Sequence, residues 1–251
     1  MIVCLKHCNI SNCTQIHNIV KWKTPGMTTI KRAPDFKKNT YETAAWSAGE
    51  VIAGIDEVGR GCLGGPVVAA CVILKSGKKH PLLKDSKLMD ATELKKGYEW
   101  IVKNSWFTVS IMNNRLIDAL NIYQATLRCM QRAGAQMLAT CPLQPSLFVV
   151  DAMPVRLEHF AGDVIHFYYG EKKSSSIAAA SIVAKVTRDA LMKRHNITFP
   201  GYNFSQHKGY STPGHKKILA QLPQSLLHRT SYTDHFIDVD GDAVQTSWMY
   251  E

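Results

Sequence analysis

The longest uninterrupted apolar run in this chain extends from Val67 to Leu74. A membrane-spanning helix needs about 18 or more apolar residues in a row, so the run excludes a transmembrane protein. A glycine-rich loop, GRGCLGG, precedes the run, and a second apolar segment, VIAGIDEVG, precedes that loop. Because short apolar runs bounded by turn residues are typical of strands, we predict two consecutive β-strands at residues 51–59 and 66–74.

The remaining segments alternate between strand and helix patterns. Further strands are predicted at residues 106–112, 146–153 and 163–169. Helices are predicted from Asp90 to about Asn104, from Asn113 or Asn114 to Met137, at residues 174–195 with a serine N-cap, and near residues 213–222. Strands that first form a meander and then alternate with helices predict an α/β fold in which helices cover a mixed sheet.

The formal net charge of +10 at pH 7 favours a polyanionic partner such as nucleic acid. Half of this excess lies in residues 1–49, which contain seven Lys or Arg residues and two acids. The same segment has weak periodicity and turn residues at Pro25 and Pro34, so we predict a basic, flexible N-terminal extension. Net charge therefore says less about the main body of the chain than about its first fifth.

Seven cysteines cannot all pair within one chain, and their spacing matches no small disulfide scaffold, so we expect reduced thiols. The N-terminus lacks the apolar stretch of about 7–15 residues found in a secretory signal, which predicts a cytoplasmic protein. A targeting role for residues 1–49 stays open as an alternative. A zinc site there would use residues whose spacing fits no zinc-finger pattern, namely Cys4, His7, Cys8, Cys13 and His17.

Three acids stand at the ends of two predicted core strands. Asp56 and Glu57 follow one apolar segment, and Asp151 follows the apolar residues 147–150. Burying a carboxylate without compensation is costly, so acids in such positions meet a cation, a cap or water. Mg²⁺ prefers oxygen ligands and suits phosphate substrates, which favours a metal-dependent nuclease or phosphotransferase. From spacing alone, solvated loop acids are the alternative.

Two further segments have both a functional and a structural interpretation. GEKKSSS, residues 170–176, precedes a helix whose free N–H groups can hold a phosphate, although a capped helix start is more common. HKGYS, residues 207–211, offers a basic residue and an aromatic ring for sugar or base stacking, although such segments are more often surface turns. The glycine-rich loop matches neither a Walker A loop nor a Rossmann fingerprint.

Seven sequence blocks occur in order between about residue 50 and residue 235. They are VIAGIDEVGRGCLGGPVVAACVIL, LKDSK, NIYQATLRCMQRA, VVDAMP, SSSIAAASIVAKVTRDALM, FPGYNFSQHKGYSTPGHKKIL and LLHRTSY. Together they resemble ribonuclease HII, the bacterial type 2 ribonuclease H family. The resemblance implies a ribonuclease H-like fold, with a central five-stranded mixed sheet flanked by helices and a C-terminal region of helices and loops. It assigns residues 50–235 to the catalytic domain and residues 236–251 to a C-terminal tail.

The resemblance also implies an activity. Family members cleave RNA in RNA–DNA hybrids and incise 5′ of a ribonucleotide embedded in duplex DNA, leaving 3′-hydroxyl and 5′-phosphate ends. Four acids of the family hold two divalent ions, Mg²⁺ or Mn²⁺, and they match Asp56, Glu57, Asp151 and Glu171. The expected partners are RNA–DNA hybrids and ribonucleotide-containing duplex DNA, with no membrane and a monomeric protein.

Substrate contacts are implied by the same resemblance. Gly59, Arg60 and Gly61 match the motif that recognises the ribose 2′-hydroxyl at the junction. Tyr210 matches a tyrosine that stacks beneath the following deoxyribose, and Lys87 matches a lysine that can approach the scissile phosphate. The related type 3 enzymes carry a different residue in place of the arginine and a larger N-terminal domain, so Arg60 and the short extension favour type 2.

The chain departs from the family pattern at three places. Glu171 stands where an aspartate is usual, Ala152-Met153 replaces the glycine and asparagine after Asp151, and Cys62 replaces a proline. The first two departures concern the metal site. They keep open, as an alternative, a catalytically weakened protein of the same fold that binds hybrids or junctions.

Two other acids are rivals for the fourth metal-binding position. Asp163 begins a predicted strand, so we expect it at the opposite edge of the sheet. Asp189 lies deep in the following helix, where we expect a structural ion pair. Glu171 is therefore the preferred assignment.

Overall fold

A six-stranded sheet lies at the centre of the structure, a computed structural model that describes residues 28–30 and 37–233. The strands are β1 (Thr28–Ile30), β2 (Ile52–Val58), β3 (Val67–Leu74), β4 (Ser105–Met112), β5 (Leu147–Asp151) and β6 (Asp163–Phe167). Their order is β1-β6-β5-β2-β3-β4, in which β3 is antiparallel to β2 and β4 and the other neighbours are parallel. The predicted five-stranded mixed sheet is confirmed, and β1 adds a short edge strand to it.

Helices cover both faces of this sheet. They are α1 (Thr40–Ser47), α2 (Ala91–Asn104), α3 (Asn114–Leu120), α4 (Ile122–Thr140), α5 (Gly170–Lys173), α6 (Ser175–Thr198), α7 (Phe204–His207), α8 (Pro213–Leu219) and α9 (Thr230–Thr233). Short 3₁₀ turns occupy Ser86–Leu88 and Pro200–Tyr202. The described residues from α7 to Thr233 form short helices and loops, as predicted for the C-terminal region.

The apolar run that forms β3 is buried along its whole length because both of its faces are covered. One set of alternating side chains packs with α4, including Cys71 against a core that contains Met130. The other set packs with the alanine-rich part of α6, including Val72 in the core that contains Ala180. Since side chains alternate across a strand, only an unbroken apolar run satisfies both cores.

The long α6 lies unusually close to β2, and Gly54 makes this approach possible. A Cβ atom at Gly54 would lie 2.2 Å from the backbone carbon of Ser176, a distance that real structures do not tolerate. Ser174 caps the helix as predicted, and its hydroxyl accepts a hydrogen bond from the N–H of Ile177 at 3.1 Å. The start of α6 is thereby fixed beside the ends of β2 and β5.

The predicted helix from residue 113 or 114 to Met137 is wrong in one respect, because the structure contains two helices there. Asn121 separates α3 from α4 with a φ of 64°, a backbone conformation that few residues other than glycine and asparagine adopt readily. Its side chain then caps α4 by accepting a hydrogen bond from the N–H of Gln124 at 3.0 Å. By contrast, the predicted Asp90 cap of α2 is confirmed as a full capping box with Glu93.

Helix α1 was not predicted from the sequence, and it lies within the segment assigned to the N-terminal extension. Tyr41 and Ala45 of this helix are buried against the sheet, in a cluster that includes Ile165 and Phe167. The predicted boundary at residue 50 stays a prediction, but ordered packing on the sheet begins before it.

Several other predictions concern residues outside the described ranges. These are the candidate zinc residues at positions 4–17, most of the basic extension and the tail at residues 236–251. Within the described ranges, no helix combines the length and the apolar character that crossing a membrane requires.

Candidate active site

Two parallel neighbouring strands bring the predicted acids together. β2 and β5 are paired with Ile55 opposite Val150, so the next residues, Asp56 and Asp151, lie side by side at the same edge of the sheet. Oxygen atoms of Asp56, Glu57 and Asp151 all lie within 4.8 Å of one another. The structure therefore gathers three of the four predicted metal-binding acids into one cluster.

The acids of this cluster are buried and repel one another, and both effects raise their pKa values. Burial, followed by the charges of Glu57 and Asp151, raises the pKa of Asp56 well above its ordinary value. Burial also raises the pKa of Asp151 to about 7, against the hydrogen bond that its Oδ1 accepts from the N–H of Gly170 at 2.7 Å. Glu57 Oε2 is buried without a hydrogen-bond partner among the described residues. An all-oxygen set with an orphaned carboxylate atom fits a hard divalent cation.

Glu171 lies beside the cluster but outside the group of three. It is half-buried in α5, and its charge contributes to the raised pKa of Asp151. Its carboxylate is not among the oxygens that lie within 4.8 Å of one another. A fourth acid is thus close enough to act on Asp151 electrostatically, although its carboxylate lies outside the group that the other three form.

The two rival acids lie where the sequence predicted them. Asp163 pairs with Leu147 at the start of β6, one strand length away from the pair formed by Asp151 and Phe167. Asp189 forms an ion pair with Lys185, with Nζ 3.0 Å from Oδ1. Neither belongs to the carboxylate cluster within the described part of the chain.

A pair of buried serines connects the cluster to the loop that carries Lys87. Ser181 of α6 forms a hydrogen bond with Asp56, and its hydroxyl lies 2.8 Å from that of Ser86. The neighbouring Lys87 is exposed, and its charge offsets a small part of the rise that burial causes in the pKa of Glu57 and of Asp151. The predicted phosphate-binding lysine therefore faces the acids without blocking them.

The glycine-arginine-glycine loop is held in place by a buried arginine. Arg229 is fully buried and donates hydrogen bonds of 2.6 Å to the carbonyls of Gly59 and Arg60. The Arg60 side chain stays 40% exposed, with Nη1 3.6 Å from Oε1 of Glu57. At Gly61 the surface is open, since a Cβ atom there would meet nothing within 4 Å.

A second buried arginine joins this loop to Tyr210. Arg188 donates to the carbonyls of Gly64 at 3.1 Å and Lys208 at 2.9 Å, and its guanidinium carbon lies 5.4 Å from the centre of the Tyr210 ring. Burial is the largest cause that raises the pKa of Tyr210 to about 12, so the phenol stays neutral. Neither buried arginine was predicted from the sequence. The available signal was a charge at position 188, one turn from the apolar residues at 184 and 192.

Two departures from the family pattern have visible consequences here. Ala152 has a φ of 54°, a left-handed conformation that costs a residue with a Cβ about 1–2 kcal/mol and that glycine adopts freely. Met153, in place of a polar residue, is buried in the core. Cys62 is fully buried and forms an isolated β-bridge with Tyr210. The departures are accommodated by strain and burial beside the site.

Neutral histidines support the backbone of the Tyr210 loop. His215 Nδ1 lies 2.9 Å from the carbonyl of Tyr210 and donates to it, while its Nε2 lies 3.0 Å from Nε2 of His228. Nδ1 of His228 accepts from the N–H of Ser225 at 2.9 Å, so each ring carries one proton. Burial is the main cause that lowers the pKa of both imidazoles to about 4.

The contribution of these two histidines to stability should therefore fall on acidification. Because their folded pKa lies below the ordinary value of 6.5, the unfolded chain takes up protons at these positions first, and their contribution to the free energy of unfolding decreases as the pH falls from 6.5 through about 4. Urea unfolding across this range should show a shallower decline in His228→Asn than in the wild type. The exposed His159 provides the control, since His159→Asn should keep the wild-type slope. Equal slopes in His228→Asn and the wild type would contradict the assignment.

Comparison with known proteins shows similarity to one family of ribonucleases. The Ribonuclease HII family profile matches residues 53–235. Ribonuclease HII of Levilactobacillus brevis is 42% identical over 194 residues, which cover 77% of this chain and 73% of that protein.

Solved structures of related enzymes resemble the fold, among them the following three. Ribonuclease H2 from Pyrococcus horikoshii OT3 has a TM-score of 0.60 at 22% identity, over 72% of this chain and 93% of that chain. The PCNA:RNase HII complex from Archaeoglobus fulgidus gives 0.55 at 25% identity, over 68% and 87%. Bst ribonuclease HIII in complex with Mn²⁺ gives 0.61 at 17% identity, over 83% and 71%. These structural likenesses agree with the predicted ribonuclease H-like fold.

Proposed function

The chain belongs to the ribonuclease HII family, and from this premise we propose an endoribonuclease that cuts RNA in RNA–DNA hybrids and incises duplex DNA 5′ of an embedded ribonucleotide. We further propose that the products carry 3′-hydroxyl and 5′-phosphate ends. The observation that carries the proposal is the cluster of Asp56, Glu57 and Asp151 within 4.8 Å, next to the loop of Arg60. The monomeric state and the cytoplasmic location stay predictions.

The acids of this chain would hold the divalent ions. Asp56, Glu57 and Asp151 form the core of the proposed site, and Glu171 is the proposed fourth ligand. When bound, two Mg²⁺ or Mn²⁺ ions supply Lewis-acid activation of water and offset charge on the phosphate. Within the protein itself, the hydrogen bond from the N–H of Gly170 orients Asp151, and the hydrogen bond with Ser181 orients Asp56.

The loop of Gly59, Arg60 and Gly61 is suited to select a ribose. The carbonyls of Gly59 and Arg60 accept hydrogen bonds from Arg229, so the loop presents a fixed backbone to the substrate. At Gly61 the missing side chain leaves room for a 2′-hydroxyl to approach the main chain. The exposed guanidinium of Arg60 can contact the same nucleotide or its phosphate. Ribonucleotide selection is thereby assigned to a rigid element beside the acids.

Tyr210 is proposed to stack on the sugar that follows the ribonucleotide. Tyr210→Ala should weaken junction cleavage by about tenfold or more, since stacking contributes about 1–3 kcal/mol per base in single-strand binders. Tyr210→Phe keeps the ring, so most of the activity should remain. Steady-state kinetics on a duplex with one ribonucleotide provide the measurement, and Mn²⁺ binding without substrate should be unchanged in both variants. Wild-type kinetics in Tyr210→Ala would contradict this role.

One observation favours a second candidate function, a catalytically weakened protein that binds hybrids or junctions. Glu171 lies outside the group of three acids, and Asp151 is followed by the strained Ala152. A labelled RNA–DNA hybrid separates the two candidates when it is incubated with Mg²⁺, with Mn²⁺ or with EDTA. The nuclease yields internal RNA cuts that require metal and end in 3′-hydroxyls that a polymerase can extend. The weakened protein retards the hybrid in a gel but leaves it uncut.

A further inference from the structure

The turn that carries Glu171 depends on partners from elsewhere in the chain. We call residues 170–176 the Glu171 turn; it contains the single-turn helix α5 and the start of α6. Gly170 begins the turn and donates its N–H to Asp151. A four-residue helix satisfies few of its own backbone groups, so its position is set by external hydrogen bonds.

These external bonds come from a short segment before the matched family region, which begins at residue 53. Asn39 receives a hydrogen bond from the N–H of Ser175 at 3.0 Å and donates its own N–H to the carbonyl of Lys173 at 2.9 Å. Glu42 Oε1 accepts from the hydroxyl of Ser174 at 2.5 Å and from the N–H of Ser176 at 2.9 Å. Residues 39–42 thus bind the C-terminal half of the Glu171 turn.

Lys38 binds Glu171 itself. Its Nζ donates to the carbonyl of Glu171 at 2.9 Å, and the same ammonium donates to the carbonyl of Leu83. Leu83 lies in the loop that leads to Lys87, the proposed phosphate-binding residue. One side chain therefore connects the two loops that flank the carboxylate cluster.

We propose that Lys38 is a positioning residue that fixes the Glu171 turn, and with it the fourth carboxylate, relative to Asp151. This inference rests on the proposed function, in which Glu171 is a metal ligand. It assigns to the segment before the family region a role in metal binding rather than in unspecific attraction to nucleic acid. Lys38 is half-buried, and both of its carbonyl partners are fixed in the backbone, so its loss frees two loops at once.

The sign of the effect on metal affinity separates positioning from simple electrostatics. If the charge of Lys38 alone mattered, its removal would make the site more negative and Mn²⁺ binding would tighten. If Lys38 positions Glu171, its removal should weaken Mn²⁺ binding, by about tenfold for an outer-shell partner of a metal ligand. Lys38→Arg keeps the charge and several donors, so it should restore much of the affinity.

The experiment is a titration of the full chain with Mn²⁺ alone, followed by the EPR signal of the free ion. The variants are Lys38→Met, Lys38→Arg and, as a matched control, Lys75→Met. The ammonium group of Lys75 also donates a hydrogen bond to a carbonyl, that of Lys103 at 2.8 Å. Lys75 follows the C-terminal end of β3, away from the carboxylate cluster. We expect weaker binding only in Lys38→Met. Unchanged or tighter binding in that variant would overturn the proposal.

Hydrogen exchange without metal keeps the proposal testable if Lys38→Met lowers stability. Amides of residues 170–176 should exchange faster, while those of α2 should not; equal protection of residues 170–176 would overturn the proposal. Glu171→Ala distinguishes this inference from the function on which it rests. If Glu171→Ala weakens Mn²⁺ binding and Lys38→Met does not, only the role of Lys38 fails. If Glu171→Ala has no effect, the ligand assignment itself fails.

Discussion

Asp56→Asn is expected to lower metal-dependent cleavage by at least about a hundredfold and, in EDTA, to stabilise the protein. The loss of rate follows because mutation of even an outer-shell partner of a metal ligand lowers metal affinity or activity by about 10–100-fold. Asp56 is proposed as a direct ligand. The gain in stability follows because Asp56 is buried beside Glu57 and Asp151, and their charges repel in the metal-free protein. Asparagine keeps the oxygen that accepts the N–H of Glu57 at 2.7 Å.

Single-turnover cleavage and urea unfolding in EDTA at neutral pH measure the two effects. Asp163→Asn is the matched control, because Asp163 lies at the opposite end of β6 and should change neither quantity appreciably. An Asp56→Asn protein that cleaves at the wild-type rate would remove Asp56 from the metal site. One that is less stable than the wild type in EDTA would contradict the repulsion.

Glu171→Ala is the second change for which we expect a loss of orders of magnitude in rate. Glutamate keeps the charge of the usual aspartate but adds a methylene, and Mg²⁺ tolerates misplaced ligands poorly because it requires near-octahedral geometry at about 2.0–2.1 Å. Mn²⁺ accepts similar oxygen ligands. It also coordinates more flexibly than Mg²⁺. We therefore expect wild-type activity to be higher with Mn²⁺, and Glu171→Asp to hold or raise the rate with Mg²⁺.

Cleavage rates of these variants with each metal provide the measurement. Asp189→Ala serves as a control. Because Asp189 is paired with Lys185, its replacement should lower the cleavage rate far less. Intact metal-dependent cleavage in Glu171→Ala would contradict the assignment of the fourth ligand. So would a loss of cleavage on Asp163→Ala.

The acids of the cluster were predictable because each stands at the end of an apolar segment of the sequence. Apolar segments that end in acids predict strands with carboxylates at their ends, and parallel pairing of β2 with β5 then places Asp56 beside Asp151. The role of Glu171 depended on the family resemblance, since a short acidic turn before a helix has no distinctive spacing. Its offset from the other three acids required the structure.

Features that depend on distant partners were not predictable. Arg188 and Arg229 are buried because they meet backbone carbonyls of the loop around residues 59–66, which lies far from them in sequence. Helix α1 has little apolar periodicity. Its position is fixed by its residue Glu42, which accepts hydrogen bonds from the start of α6. The break at Asn121 depends on a positive φ that the pattern of apolar residues does not encode.

The central claim is that this site cuts nucleic acid at a ribonucleotide with the help of a divalent metal. The most direct measurement compares two labelled duplexes of the same sequence, one entirely DNA and one with a single ribonucleotide, each incubated with Mg²⁺, Mn²⁺ or EDTA. We expect one incision, 5′ of the ribonucleotide, with either metal and none in EDTA, while the all-DNA duplex stays intact. Equal cutting of both duplexes, or incision that persists in EDTA, would contradict the account.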